Sequence, residues 1–129
     1  MEYLWTTLTI SNMEKSLAFY TENLGLAIRS RFRTGDGTEI VFLDGAAGAA
    51  VELIQHGPLP VLASGRGAGI SLGFRTKSLE QAMEDLAGAG IPVERGPIQA
   101  GGGTRFFFVR DPDGYEIQIV EEAGVQTRV

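Results

Sequence analysis

Apolar residues along this chain switch between two spacings, and the whole switching pattern occurs twice. Over residues 3–10, Leu4, Leu8 and Ile10 fall on one side and Trp5, Thr7 and Thr9 on the other, which predicts a strand. Ser11 followed by Glu14 is a capping-box pattern, with Ser11 read as the N-cap. Leu17, Phe19, Tyr20 and Leu24 supply the apolar side of a helix that Gly25 stops. Leu26–Thr34 and Thr38–Leu43 then read as two strands joined at Gly35-Asp36-Gly37, a hairpin signal. A glycine/alanine loop over 45–49 leads to a fourth strand, Ala50–Gln55. The order is β-α-β-β-β.

Residues 56–69 are rich in Gly and Pro and read as a linker, after which the pattern restarts. Ile70–Thr76 is a strand, and Ser78 with Gln81 makes a second capping box. Leu79, Ala82, Met83 and Leu86 mark the apolar side of a second helix, closed by Gly88 and Gly90. Ile91–Glu94 is predicted as a short strand. Arg105–Arg110 and Tyr115–Glu121 are strands joined at Asp111-Pro112-Asp113-Gly114, where Pro presets φ and Gly accepts a positive one. The two halves superpose at one offset, 66 residues: Met13 falls on Leu79, Leu17 on Met83, Phe42 on Phe108 and Ile54 on Val120. The expected organisation is one domain over 1–129, with a module at 1–55, a linker at 56–69, a second module at 70–122 and a tail at 123–129.

Composition narrows the function classes. The chain has 129 residues, 43% of them hydrophobic, enough for one compact core. Sixteen acids against eleven bases give a net charge of −5, which argues against nucleic acid or an anionic membrane as partner. With no cysteine, disulfides, thiolate metal sites and cysteine nucleophiles are excluded. The N-terminus lacks the basic segment and apolar run of a signal peptide. Asp44, two glycines and Glu52 interrupt the mostly apolar stretch Ile40–Ile54, so it does not read as a membrane span. A cytoplasmic protein is the default expectation.

Three segments carry a family resemblance: Leu8-Thr-Ile-Ser-Asn-Met-Glu-Lys-Ser-Leu-Ala-Phe-Tyr-Thr-Glu-Asn-Leu-Gly-Leu26, Val51-Glu52-Leu53, and Arg110-Asp-Pro-Asp-Gly-Tyr-Glu-Ile-Gln118. They resemble the opening strand–helix motif, the end of the first module and the closing DPDG segment of the glyoxalase/bleomycin-resistance/dioxygenase (vicinal oxygen chelate) superfamily. The resemblance covers the whole chain. It implies an α+β fold of two tandem βαβββ modules whose half-open mixed sheets form a cleft. It also implies a divalent metal in that cleft, held by side chains from the first and last strands of each module. In a glyoxalase I-type enzyme those positions carry His or Gln, Glu, His and Glu. Here the same positions, paired by the 66-residue offset, carry Trp5 and Ser71, and Glu52 and Gln118.

This set is a poor metal site. A divalent ion needs three or four oxygen or imidazole donors, an indole N–H only donates, and a serine hydroxyl is a weak ligand. The one histidine, His56, lies just beyond the fourth strand beside Gly57 and Pro58. No metal and no other cofactor are therefore expected, and a dioxygenase site of two His and a Glu is excluded. Glu52 reads either as a paired structural carboxylate or as a functional one. In the second case it anchors a cationic or hydroxyl-bearing ligand, or serves as a general base. Trp5 reads either as core or as a stacking wall that Phe32 and the run Phe106–Phe108 extend. Thr7 shares the face of Trp5, and Glu116 shares the face of Gln118. Arg31 and Arg105 are expected to turn away, because Phe32 and Phe106 claim the opposite faces of their strands. Gly65-x-Gly67-x-Gly69 precedes a strand rather than a helix and implies no phosphate cradle.

The first reading of function is a metal-independent binding protein for a small organic ligand, similar to the bleomycin-resistance members, with Trp5, Thr7, Glu52, Ser71, Glu116 and Gln118 lining its site. The second is a diverged glyoxalase-type lyase or isomerase with Glu52 as catalytic base. A third is a regulatory module that binds a metabolite or another protein. The resemblance also implies a homodimer.

Overall fold

The computed structural model describes residues 2–45, 50–56 and 70–122. Parts of the expected glycine/alanine loop (46–49) and linker (57–69, with its Gly65-x-Gly67-x-Gly69 run), and the whole tail (123–129), lie outside the described residues. The chain divides into two compact units, Met1–Ser64 and Gly65–Val129.

In the first half, β1 (Trp5–Thr9), β2 (Ala27–Arg33), β3 (Glu39–Asp44) and β4 (Ala50–Gln55) form one sheet in the order β1-β4-β3-β2. β1 runs parallel to β4, and the other pairings are antiparallel. Leu8, Val41, Leu43 and Leu53 point to the side covered by helix α1 (Met13–Leu17) and are buried. The helix begins one residue later than the capping box implied. Asn12, not Ser11, is the N-cap, and its side chain accepts from the Lys15 N–H at 3.0 Å. Glu14 does not reach back to the cap; it pairs with Arg31 at 2.8 Å. The Gln55 side chain fills the gap by accepting from the Met13 N–H at 2.7 Å.

α1 then opens into a wider π turn over Ala18–Asn23, which simple helical periodicity does not foresee. Leu24 donates to the Phe19 carbonyl, five residues back. The wide turn buries the neighbours Phe19 and Tyr20 together, their rings edge to face at 5.1 Å. Gly25 ends it at φ +80, as its position predicted.

The second half repeats the plan. β5 (Ser71–Arg75), β6 (Arg95–Gln99), β7 (Arg105–Arg110) and β8 (Glu116–Glu121) order as β5-β8-β7-β6, with β5 parallel to β8. Helix α2 (Leu79–Gly88) starts at Ser78, whose hydroxyl accepts from the Gln81 N–H. Only half of the predicted box forms, since the Gln81 side chain bonds Asp85 instead. The Leu79 N–H is capped from β8 by Glu121 at 2.9 Å.

The predicted strand Ile91–Glu94 is not one. The strand lies four residues later, at Arg95–Gln99, and includes Gly96-Pro97. Pro92 and Pro97 cannot donate to a ladder, so the sequence reads as broken there. β6 is an edge strand, where a proline is tolerated, and its register on β7 shifts between Arg95 and Ile98. Gly96 sits at φ +105 so close to β7 that an added Cβ would stand 3.0 Å from the Phe106 carbonyl oxygen.

Candidate functional site

Each sheet has one face covered by its own helix and one face open within its own half. Period-two alternation sends Trp5, Thr7, Glu52 and Phe42 to the open face of the first sheet. The strand register brings three of them level, Thr7 opposite Glu52 and Glu52 opposite Phe42. Thr7 donates its hydroxyl to Glu52 at 2.5 Å, the one side-chain hydrogen bond on that carboxylate among the described residues. Glu52 is 9% exposed. A carboxylate this far out of water is sensitive to whatever else approaches it.

Beside it lies an aromatic wall. Trp5, 40% exposed, meets the Phe42 ring edge to face at 4.9 Å. Phe32 stacks near-parallel on Phe42 at 6.4 Å and is also exposed. One edge of Trp5 packs against Phe42 while much of the residue faces outward.

Arg29 lies beside this wall. A bulge between Ile28 and Ser30 takes it out of register. Its guanidinium lies 5.5 Å from the Phe42 ring centroid and pairs with Asp44 at 3.1 Å.

In the second half the corresponding level holds Gly73, Gln118 and Phe108, with Arg95 opposite Phe108. The Arg95 guanidinium covers the Phe108 ring at 4.0 Å and bonds Glu116 at 2.9 Å, and Arg110 stands 4.0 Å from the same carboxylate. Ser71 is exposed at the end of β5, opposite Glu116. The aromatic run divides by face. Phe107 is fully buried towards the helix, while Phe106 and Phe108 meet edge to face at 5.7 Å on the other side.

Arg31 and Arg105 turn to the helix side, as expected. Hydrogen bonds donated to Glu14 and Glu39 raise the Arg31 pKa, and those donated to Glu80 and Glu121 raise that of Arg105. Arg105 in turn holds both Glu80 and Glu121 below the ordinary carboxylate range.

Trp5, Thr7 and Glu52 therefore share one face of the first half, and Ser71, Glu116 and Gln118 share one face of the second. His56 is exposed beyond β4. The donors do not fit the divalent metal that the family resemblance implies. Of the four positions, Trp5 offers a packed indole with no lone pair to give and Ser71 a weakly ligating hydroxyl, which leaves only Glu52 and Gln118, and the neighbouring Glu116 is tied to Arg95. Among the described residues, no three His, Cys, Asp or Glu side chains are grouped so as to hold a metal ion.

Two βαβββ halves, each closed by a parallel pairing of its first and last strands, define a glyoxalase-like architecture. The family model for the Glyoxalase/Bleomycin resistance protein/Dioxygenase superfamily matches residues 3–119, and the chain belongs to that superfamily. It is 31% identical to a probable lactoylglutathione lyase of Vibrio cholerae, over 92% of this chain and 88% of that protein. It is 29% identical to the lactoylglutathione lyase of Haemophilus influenzae, over 98% of this chain and 97% of that protein. Among solved structures, a glyoxalase family protein from Bacillus cereus superposes with a TM-score of 0.81 at 19% identity, covering 96% of this chain and 95% of its own. Among the described residues no helix is long and apolar enough to cross a membrane.

Proposed function

We propose that the protein binds a small planar organic ligand without a metal, the ligand lying against Trp5 and hydrogen-bonded to Glu52. The observation that carries this reading is the pairing of an exposed aromatic wall, Trp5–Phe42–Phe32, with a carboxylate held in place by Thr7 on the same sheet face. Trp5 gives a flat apolar surface, and Glu52 is an acceptor-only group suited to a hydroxyl or a cation. Arg29 does not reverse the charge of this face, because Asp44 neutralises it. A neutral or cationic, aromatic or polyhydroxylated ligand fits best. Trp5 is the only tryptophan, so its fluorescence is a specific probe. Titration with planar cationic and neutral compounds is expected to change Trp5 emission saturably. Quenching by an anionic thiol adduct alone would overturn the reading.

A second reading is supported by the buried Glu52, bonded to Thr7, together with the lyase names of the relatives: a diverged lyase or isomerase with Glu52 as general base. Substrate turnover that disappears in Glu52→Gln while the fold is kept would select it. In either case we expect the chain to pair as a homodimer. Ile28 and Phe32 are roughly half exposed on the edge strand β2, apolar surface that a second copy would cover. A stable monomer at micromolar concentration in sedimentation would overturn that expectation.

A further inference from the structure

We infer that the open face of the second half recognises a neutral planar ligand through an amide-type edge, read by the Gln118 carboxamide above Gly73. This extends the small-molecule reading to a second place on the chain, and it starts from a mismatch between the halves. Thr7 and Glu52 are bonded to each other in the first half, at 2.5 Å. The equivalent pair, Gly73 and Gln118, also stands directly across a parallel ladder. Gly73 has no side chain to offer, and Gln118 makes no side-chain hydrogen bond among the described residues. A Cβ built on Gly73 would find the Gln118 side-chain oxygen at 3.8 Å and, among the described residues, no closer atom. The carboxamide therefore stands over the place that a threonine side chain fills in the first half.

The charges around it are already matched. Arg95 holds Glu116 at 2.9 Å while lying on the Phe108 ring, and Arg110 holds Glu94 at 2.6 Å. Among the described residues, what remains unpaired on this face is neutral: the Gln118 amide and, two residues from Gly73, the exposed Ser71 hydroxyl. A carboxamide presents one acceptor and one donor side by side. Its complement is a donor and acceptor side by side, as in a primary amide or a lactam, the pairing by which Gln reads a base edge. A carboxylate ligand would satisfy only the donor, and an ammonium only the acceptor.

The test uses the full chain labelled with nitrogen-15, following the Gln118 side-chain NH2 signals while benzamide or 2-pyridone is added. Benzoate and benzylamine serve as charged counterparts. The neutral amides are expected to shift Gln118 saturably and with higher affinity than either charged probe. Gly73→Thr, which copies the first half, should raise their Kd by about two- to tenfold, the effect of one lost neutral hydrogen bond. The backbone at Gly73 carries no positive φ and a Cβ there makes an ordinary contact, so this variant is expected to fold. Gly73→Ala, with no hydroxyl to donate, should raise Kd less than Gly73→Thr. The inference is overturned by no saturable shift with either amide, by equal or tighter binding of benzoate or benzylamine, or by an unchanged Kd in Gly73→Thr. A Trp5 fluorescence response without any Gln118 shift would overturn this inference and leave the first-half site standing. A Gln118 shift without a Trp5 response would do the reverse.

Discussion

Set side by side, the two halves agree in how they are held together and differ in what they present. The first N–H of each helix is capped from the last strand of its own half, Met13 by Gln55 and Leu79 by Glu121. Each half ties an acid of the first helical turn, Glu14 or Glu80, to an arginine from a strand. Each also lays an arginine over an equivalent phenylalanine, Arg29 on Phe42 and Arg95 on Phe108. On the open faces the matched positions part company: Trp5 against Ser71, Thr7 against Gly73, Glu52 against Gln118. The groups that cap a helix or tie down its first turn have matching roles in the two halves. On the open faces no helix end depends on the side chains, and their chemistry differs. One half offers a charged acceptor beside an indole, the other a neutral amide.

Exchanging residues between the halves tests how deep the likeness runs. The largest effect is expected at Gly96, whose counterpart is Ser30. Gly96→Ser places a Cβ 3.0–3.1 Å from β7 atoms at φ +105 and should destabilise the protein by about 3 kcal/mol in urea unfolding. Ser30→Gly, the converse, should cost well under half of that. Equal costs would show that the two edge strands are built alike after all.

Glu52→Gln turns the first-half acceptor into its second-half counterpart. A charge-assisted hydrogen bond contributes roughly 1.5–3 kcal/mol, so binding of a cationic planar ligand, read by Trp5 fluorescence, should weaken by about ten- to a hundredfold. No change would mean that Glu52 only serves Thr7.

Ser16 is fully buried with no hydrogen-bond partner for its hydroxyl among the described residues, and its counterpart in the second helix is Ala82. Ser16→Ala removes an unsatisfied polar group and should stabilise the protein by about 1 kcal/mol in the same unfolding assay. A destabilised variant would refute that account of the site.

Acid should separate the halves with the smallest effect. Arg105 and the Leu79 N–H depress the Glu121 pKa, and Arg105 depresses that of Glu80. A folded-state pKa below the unfolded one means that this stabilisation is complete above about pH 4.5 and fades as pH falls through the folded value. Gln55, the matching cap, does not titrate. Amide exchange at Leu79 should therefore accelerate relative to Met13 between pH 6 and pH 3, after correction for intrinsic rates. Equal acceleration at both amides would contradict the asymmetry.

Much of this was legible in the sequence because burial imposes periods. Leu8, Val41, Leu43 and Leu53 had to share a face, and Gly25 and Gly114, both at positive φ, marked ends of elements. The constant offset also pairs Trp5 with Ser71 and Glu52 with Gln118. What escaped was whatever breaks a period or depends on a neighbouring strand. The bulge at Arg29 defeats alternation, and β6 hides behind Gly96-Pro97. Arg95 gains meaning only from Phe108, which β7 brings opposite it. Asn12 outcompeted Ser11 as cap, a choice of one residue that similar side chains do not settle by themselves.

The parallel pairing of β1 with β4 has a kinetic side. β2, β3 and β4 are neighbours in sequence and meet as antiparallel partners, whereas Thr7 must find Glu52 across 45 residues. Closing that loop costs chain entropy before it returns any contact, so β1 should dock late in the folding of its half. The indole of Trp5 and the hydroxyl of Thr7 arrive with it. A growing chain can thus carry a formed three-stranded meander, with Glu52 in place, and still lack both partners of that carboxylate face. Trp5 emission then reports the last step of folding, and the candidate site comes into being only when the half is closed.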